Sequence, residues 1–169
     1  MYQKILIAVD LSEMGESVFK EAVSLASKYE ANLLLLHVLS PEEDYSPLPI
    51  PPNLADIYPA QGNDLTLDFW RQQWEEFEQK GVSMLQKRAN QAGEMGVKGE
   101  YRQIYGHAAK TICKVAREEN IDLIVIGRRG RSGLGELFLG SVSNYVLHHA
   151  PCSVLIVQHH HLTKLSVKS

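Results

Sequence analysis

The chain has little from which a disulfide framework, a membrane span or a basic nucleic-acid face could be built. Its 169 residues include only two cysteines, Cys113 and Cys152, with no CxxC spacing. Buried reduced thiols are therefore expected. No apolar run approaches the roughly 18 residues of a membrane-spanning helix. The amino-terminal stretch MYQKILIAVD meets an acidic residue after five apolar positions, which makes it a first strand rather than a signal peptide. A cytoplasmic protein without a membrane partner is expected. Lys and Arg number 17 against 20 Asp and Glu, a formal net charge of -3, so there is no global electrostatic case for nucleic acid. Two phosphate motifs are missing as well. No G-x-x-x-x-G-K-[ST] occurs, and no G-x-G-x-x-G follows the first strand, which excludes a P-loop and the dinucleotide fingerprint.

What is present is an ordinary globular composition, 44% hydrophobic and 22% charged, in a chain of one-domain length. Apolar runs at residues 5–9, 33–39 (interrupted only by His37), 121–126 and 153–157 show no polar alternation. They read as strands covered on both faces. Residues 97–104 are more polar and fit an edge strand. Helical stripes lie between the runs. One has Val18, Ala22, Leu25, Ala26 and Tyr29; Ser12 with Glu16, or Asp10 with Glu13, would suit its N-terminus. A long one, from residue 64 to about 92, has Trp70, Trp74, Phe77, Gly81, Leu85 and Ala92 near one face. Its tryptophans, four apart, read as core or interface rather than as base-stacking platforms. Ala108, Ile112, Val115 and Ala116 mark a third helix, and Val142, Tyr145, Val146 and His149 a fourth. The sum is an α/β fold: an open, mainly parallel five-stranded sheet with helices on both faces, Rossmann-like.

Residues 40–63 break the pattern with six of the seven prolines and the acidic cluster Glu42, Glu43 and Asp44. Proline removes backbone donors and restrains its predecessor, so 41–63 is expected to be an irregular insertion or lid loop. Residues 159–169 are expected to be a flexible tail. Its neighbours His159, His160 and His161 make a poor closed metal site.

The chemistry concentrates between residues 121 and 157. Gly127, Gly130 and Gly140 surround a loop carrying Arg128, Arg129 and Arg131, and Gly140-Ser141 opens a helix. Glycines let backbone amides approach an anion, a helix start adds free amides and positive dipole, and arginines add cations. In such a sheet Asp10 and the backbone of Val38 and Leu39 reach the same edge as Gly127. Phosphates on the loop and a sugar near Asp10 describe a nucleotide; the bland alternative is that the glycines only turn the chain.

Gly127-x-x-Gly130, nine residues, then Gly140-Ser141 resembles the ATP-binding motif of the universal stress protein family. ILIAVDLSE, NLLLLHVL and HAPCSVLIV resemble that family's first strand and acidic turn, second strand, and last helix end and strand. The resemblance covers nearly the whole chain apart from the insertion and the tail, and implies one such domain over residues 1–158. It further implies strand order 3-2-1-4-5, a homodimer formed largely through Ser153–Val157, and a regulatory or signalling role in stress response with ATP or AMP bound. Carried over by position, Asp10 would meet ribose or a phosphate-bound Mg, and Val38 would meet adenine through its backbone. Ile126 and Gly127 would line the nucleotide, and Gly130, Gly140, Ser141 and Val142 would hold phosphates. Ala8, Val9, Arg128, Arg129, Arg131 and Ser143 complete the expected nucleotide-binding set. Arg128 is bulkier than the small residue expected after the first glycine. No catalytic constellation is evident, since only Asp10 is a placed acid and His37 and His107 read as structural. A slow ATP-hydrolysing enzyme using the same site is the alternative, and a dimerising scaffold without nucleotide is a third reading.

Overall fold

The computed structural model describes residues 1–43, 46–47, 63–128 and 139–158, with 63–66 described by backbone alone. Most of the proline-rich insertion and all of the tail lie outside the described residues, as do Arg129, Gly130 and Arg131. Strands and helices alternate: β1 (Lys4–Ala8), α1 (Met14–Tyr29), β2 (Asn32–Leu39), α2 (Asn63–Glu94), β3 (Gly99–Tyr105), α3 (Ala108–Glu118), β4 (Leu123–Gly127), α4 (Ser141–His149) and β5 (Ser153–Val157). All neighbouring strands pair in parallel, in the order β3-β2-β1-β4-β5. The expected sheet and its order are both observed.

The apolar runs lack a polar phase because both faces of the sheet are covered. Ile5 and Ile7 of β1 and Leu33 and Leu35 of β2 join Val18 and Ala22 of α1 and Leu85 of α2 in one core layer. The intervening Leu6, Leu34 and Leu36 join Ile112 and Val115 of α3 and Val146 of α4 in the other. β3 is an edge, with Glu100, Tyr101, Arg102 and Tyr105 exposed. Its polar sequence follows from that position. The long helix α2 stops where Gly96 takes φ 77°, a left-handed conformation, and the Val97 N–H donates to Ala92 O at 2.9 Å. This satisfies a carbonyl that the helix end would otherwise leave open.

The helix N-terminus after β1 differs from expectation. α1 starts at Met14 with Glu13 in the cap position and no side-chain cap. Asp10 instead accepts from its own neighbour, Ser12, through both the backbone N–H at 3.1 Å and the hydroxyl at 2.5 Å. Local side-chain bonding has won over helix capping. The tryptophan helix rests on Phe77, Leu85 and Ala92, all buried, whereas Trp70 and Trp74 are half-buried and pack beside each other at 5.8 Å between ring centroids. Leu85 is fully buried, so Leu85→Ala is expected to destabilise the fold by about 2–5 kcal/mol, measured as a lower urea midpoint.

Candidate functional site

The strand order reverses between β1 and β4, and loops leaving their carboxyl ends on opposite faces open a crevice there. Ala8, Val9 and Asp10, at the end of β1, line the cleft side by side with Ile126 and Gly127, at the end of the paired strand β4. Val38, at the end of β2, and Ile112 of α3 add apolar lining. Gly140, Ser141, Val142 and Ser143 close the cleft with the start of α4. The first amides of that helix have no intrahelical acceptor, and the dipole makes this end attractive to an anion. The Ser143 hydroxyl donates to Gly140 O at 3.0 Å, which ties the first turn together.

The glycines play different parts. Gly140 has φ -60° and ψ 157°, a conformation open to any residue, so its contribution is a bare cleft wall. A Cβ on Gly127 would lie 2.5 Å from Met14 Cγ and 3.1 Å from Val18 Cγ2. Glycine there lets α1 pack against the end of β4, and Met14 in turn lines the cleft. Behind it, Arg88 of α2 reaches past Gly15, which has no side chain to block it, and donates to Gly15 O at 2.6 Å. Its guanidinium sits 5.7 Å from the Phe19 ring centroid. Burial lowers the Arg88 pKa, an effect opposed by Glu16 and Asp10.

A buried polar chain leads to Glu43 in the cleft lining. Gln103 Nε2 donates to Glu78 O at 3.0 Å, which turns Gln103 Oε1 toward His37 Nδ1 at 2.9 Å. His37 Nδ1 therefore carries a proton. His37 Nε2 faces the Glu43 carboxylate at 3.0 and 3.2 Å, a geometry that favours a proton on this nitrogen as well. His37 is fully buried and Glu43 nearly so. Burial on its own lowers the His37 pKa, but hydrogen bonds to Glu43 and Gln103 and the nearby Glu43 and Asp10 charges outweigh it, and the net shift is upward. Glu43 also accepts the Leu11 N–H at 3.2 Å and lines the cleft beside Asp10. Gly81 of α2 makes room for this chain: a Cβ there would overlap both Gln103 Oε1 and His37 Nδ1.

The model of the universal stress protein family matches residues 1–158. The chain belongs to that family. Among relatives of this universal stress protein, Slr1101 of Synechocystis sp. is 51% identical over 104 residues, covering 62% of this chain and 96% of its own. Sll1388 of the same organism is 36% identical over 161 residues, covering 94% and 99%. Among solved structures, UspA of Lactobacillus plantarum superposes with TM-score 0.63 at 25% identity, covering 92% of this chain and 97% of its own. An Arabidopsis thaliana family member with AMP bound gives 0.61 at 22%, covering 94% and 93%. A universal stress protein in complex with cAMP gives 0.60 at 21%, covering 93% and 97%. Identities this low support a shared fold.

Of the residues expected from the sequence of this universal stress protein, Ala8, Val9, Asp10, Val38, Ile126 and Gly127 meet in the cleft with Gly140, Ser141, Val142 and Ser143. Arg128 is not in its lining; its backbone N–H extends the sheet by donating to Val157 O at 2.8 Å. Arg129, Gly130 and Arg131 lie outside the described residues. Ser12, Met14, Gly15 and Glu43 line the cleft without having been expected there. Glu43 belongs to the start of the insertion, which is locally ordered: Glu43 N–H donates to Ser40 O at 3.1 Å and Glu42 N–H to Ser40 Oγ at 3.2 Å. The readable signal was His37, a polar residue inside an apolar strand that needs a buried partner. His107 is half-exposed and lies 4.0 Å from Glu42. Cys113 is buried and Cys152 half-buried; both thiols are free, and burial raises the pKa of each.

Two predictions follow from the buried chain. Gly81→Ala, a change that normally stabilises a helix by roughly 0.5–1 kcal/mol, is expected to destabilise this protein by about 1–3 kcal/mol through overpacking, read from urea midpoints. For pH, the folded His37 pKa lies above its ordinary value of 6.5. Its stabilising share is complete below about 6.5 and is lost as pH rises through the folded value. Urea unfolding at a series of pH values is expected to show this decline in the native protein and not in His37→Gln.

Proposed function

We propose that the cleft binds an adenine nucleotide, ATP or AMP, and that occupancy regulates a homodimer in stress signalling. The observation that carries this reading is the mixed lining of a single crevice, which includes the Asp10 and Glu43 carboxylates and the uncapped start of α4. A nucleotide has matching groups: sugar and base offer N–H and O–H donors to carboxylates, and phosphates suit helix amides. Val38, Ile112 and Ile126 add apolar surface for a base. Bound AMP and cAMP in structures of the same fold support the reading.

Among the described residues no group of three or more His, Cys, Asp or Glu could hold a metal. Asp10 would meet the ribose or, where Mg accompanies the phosphates, share the ion with phosphate oxygens. Dimerisation would use β5, the strand at one edge of the sheet among the described residues. No described helix is long and apolar enough to cross a membrane.

ATP or AMP at about 100 times its dissociation constant is expected to stabilise the protein by about 2.7 kcal/mol, seen as a raised melting temperature. Gly140→Val is expected to abolish that shift with the fold retained, because the backbone there already suits valine and Gly140 lines the cleft. No shift with any adenine nucleotide at millimolar concentration overturns the proposal, and normal binding by Gly140→Val overturns the phosphate placement.

A further inference from the structure

The buried face of α2 carries a cation where an apolar side chain would pack at lower cost. Arg88 lies between Leu85 and Ala92 of that face and is only 8% exposed. Burying a charge is costly unless it is paired, and Arg88 is poorly paired. A guanidinium has five N–H donors. Among the described residues its side chain makes one hydrogen bond, from Nη1 to Gly15 O at 2.6 Å, and none of the ion pairs there includes it. The Phe19 ring, 5.7 Å away, adds a weaker attraction. Burial outweighs the pull of Glu16 and Asp10, so the Arg88 pKa is lowered on balance. The cation is under-compensated.

Gly15 is where this cation approaches the cleft. A Cβ on Gly15 would lie 2.9 Å from Arg88 Nη2, 3.0 Å from Nη1 and 3.0 Å from Asp10 O. The guanidinium therefore sits beside the turn between β1 and α1, directly behind a lining that includes Asp10, Ser12 and Gly15. The same lining holds the Asp10 and Glu43 carboxylates, which oppose the entry of an anion. We propose that Arg88 is a counter-charge for the cleft, which from behind the lining offsets these carboxylates and raises affinity in step with the negative charge on the ligand. The cleft then favours nucleoside polyphosphates over nucleosides. This rests on the nucleotide reading above and deepens it, by naming what lets a cleft lined with carboxylates accept an anion. Arginine suits the task because it keeps its proton when buried, and salt screens a buried charge weakly. The bound anion in turn completes the compensation that Glu16 and Asp10 leave unfinished. Arg88 is outside the lining, so it acts through its field and not by a bond to the ligand.

The test is calorimetric titration of the full chain with adenosine, AMP, ADP and ATP in the presence of a chelator, repeated with Arg88→Met and Arg88→Lys. Exchange of a buried charge for an apolar side chain commonly leaves stability intact, so Arg88→Met is expected to fold. Arg88→Gln, which retains an N–H donor for Gly15 O, serves if it does not. In the native protein affinity is expected to rise from adenosine through AMP to ATP. Arg88→Met is expected to weaken AMP by about threefold and ATP by about tenfold, the scale of Coulomb terms across a few ångströms of protein, and adenosine by no more than about twofold. Arg88→Lys keeps the charge and is expected to restore most of the ATP-to-AMP ratio. A purely structural role would weaken all the ligands alike. A flat native series, a ratio unchanged in the neutral variant, or a ratio lost as fully in Arg88→Lys overturns the counter-charge and leaves the nucleotide reading standing. Absence of binding by all four ligands overturns both.

Discussion

Covering both faces of a parallel sheet buries the side chains of its central strands and confines polar chemistry to their ends. β1, β2 and β4 are apolar in both phases, with Ile5, Leu6, Ile7, Leu33, Leu34, Leu35, Ile124 and Val125 almost wholly removed from solvent. Burial of such side chains is worth about 1.5–3 kcal/mol each, and it fixes where loops must emerge. Because the order turns back between β1 and β4, the loops after these strands part and leave a crevice. Asp10, Val38 and Gly127 reach it from distant parts of the sequence, and α4 starts beside them.

One polar side chain is admitted to the middle of that covered sheet. His37 shares the face of Leu33 and Leu35, where α1 and α2 pack, and burying it unpaired would be costly. The structure meets that demand with Gln103 on β3 and Glu43 beyond β2, and with the absence of a side chain at Gly81. The chain of contacts ties α2, β3 and β2 to Leu11 in the loop after β1. The acid at the mouth of the insertion is thereby set by the core. A loop residue fixed in this way can serve recognition without ordering on each binding event.

Sheet type and helix positions were legible because unalternating apolar runs and 3.6-residue stripes depend only on burial. Strand ends were less so: β4 starts at Leu123 rather than at residue 121, since Ile121 is buried before the ladder begins. Asp10 looked like a helix cap because Asp, Ser and Glu spacing also signals capping; its side chain bonds to Ser12 instead. Gly127 lines the cleft, and a Cβ there would also meet Met14 and Val18, a packing reason for glycine that no local pattern reveals. Glu43 was obscured by prolines and acidic neighbours, although a histidine within an apolar strand and a glycine on the core face of a long helix together called for a buried partner. The fold was readable from periodicity; the acidic wall of the cleft depends on contacts between residues distant in sequence.

The central claim is that one crevice takes both ends of a nucleotide, carboxylates at the nucleoside and helix amides at the phosphate. Amide chemical-shift mapping of the isotope-labelled protein during titration with AMP tests it most directly. The account predicts the largest perturbations at Asp10, Val38 and Glu43 together with Gly127 and Ser141 to Ser143, saturating as one process. Perturbations confined to one of these two groups, or centred on another surface of the molecule, would contradict it.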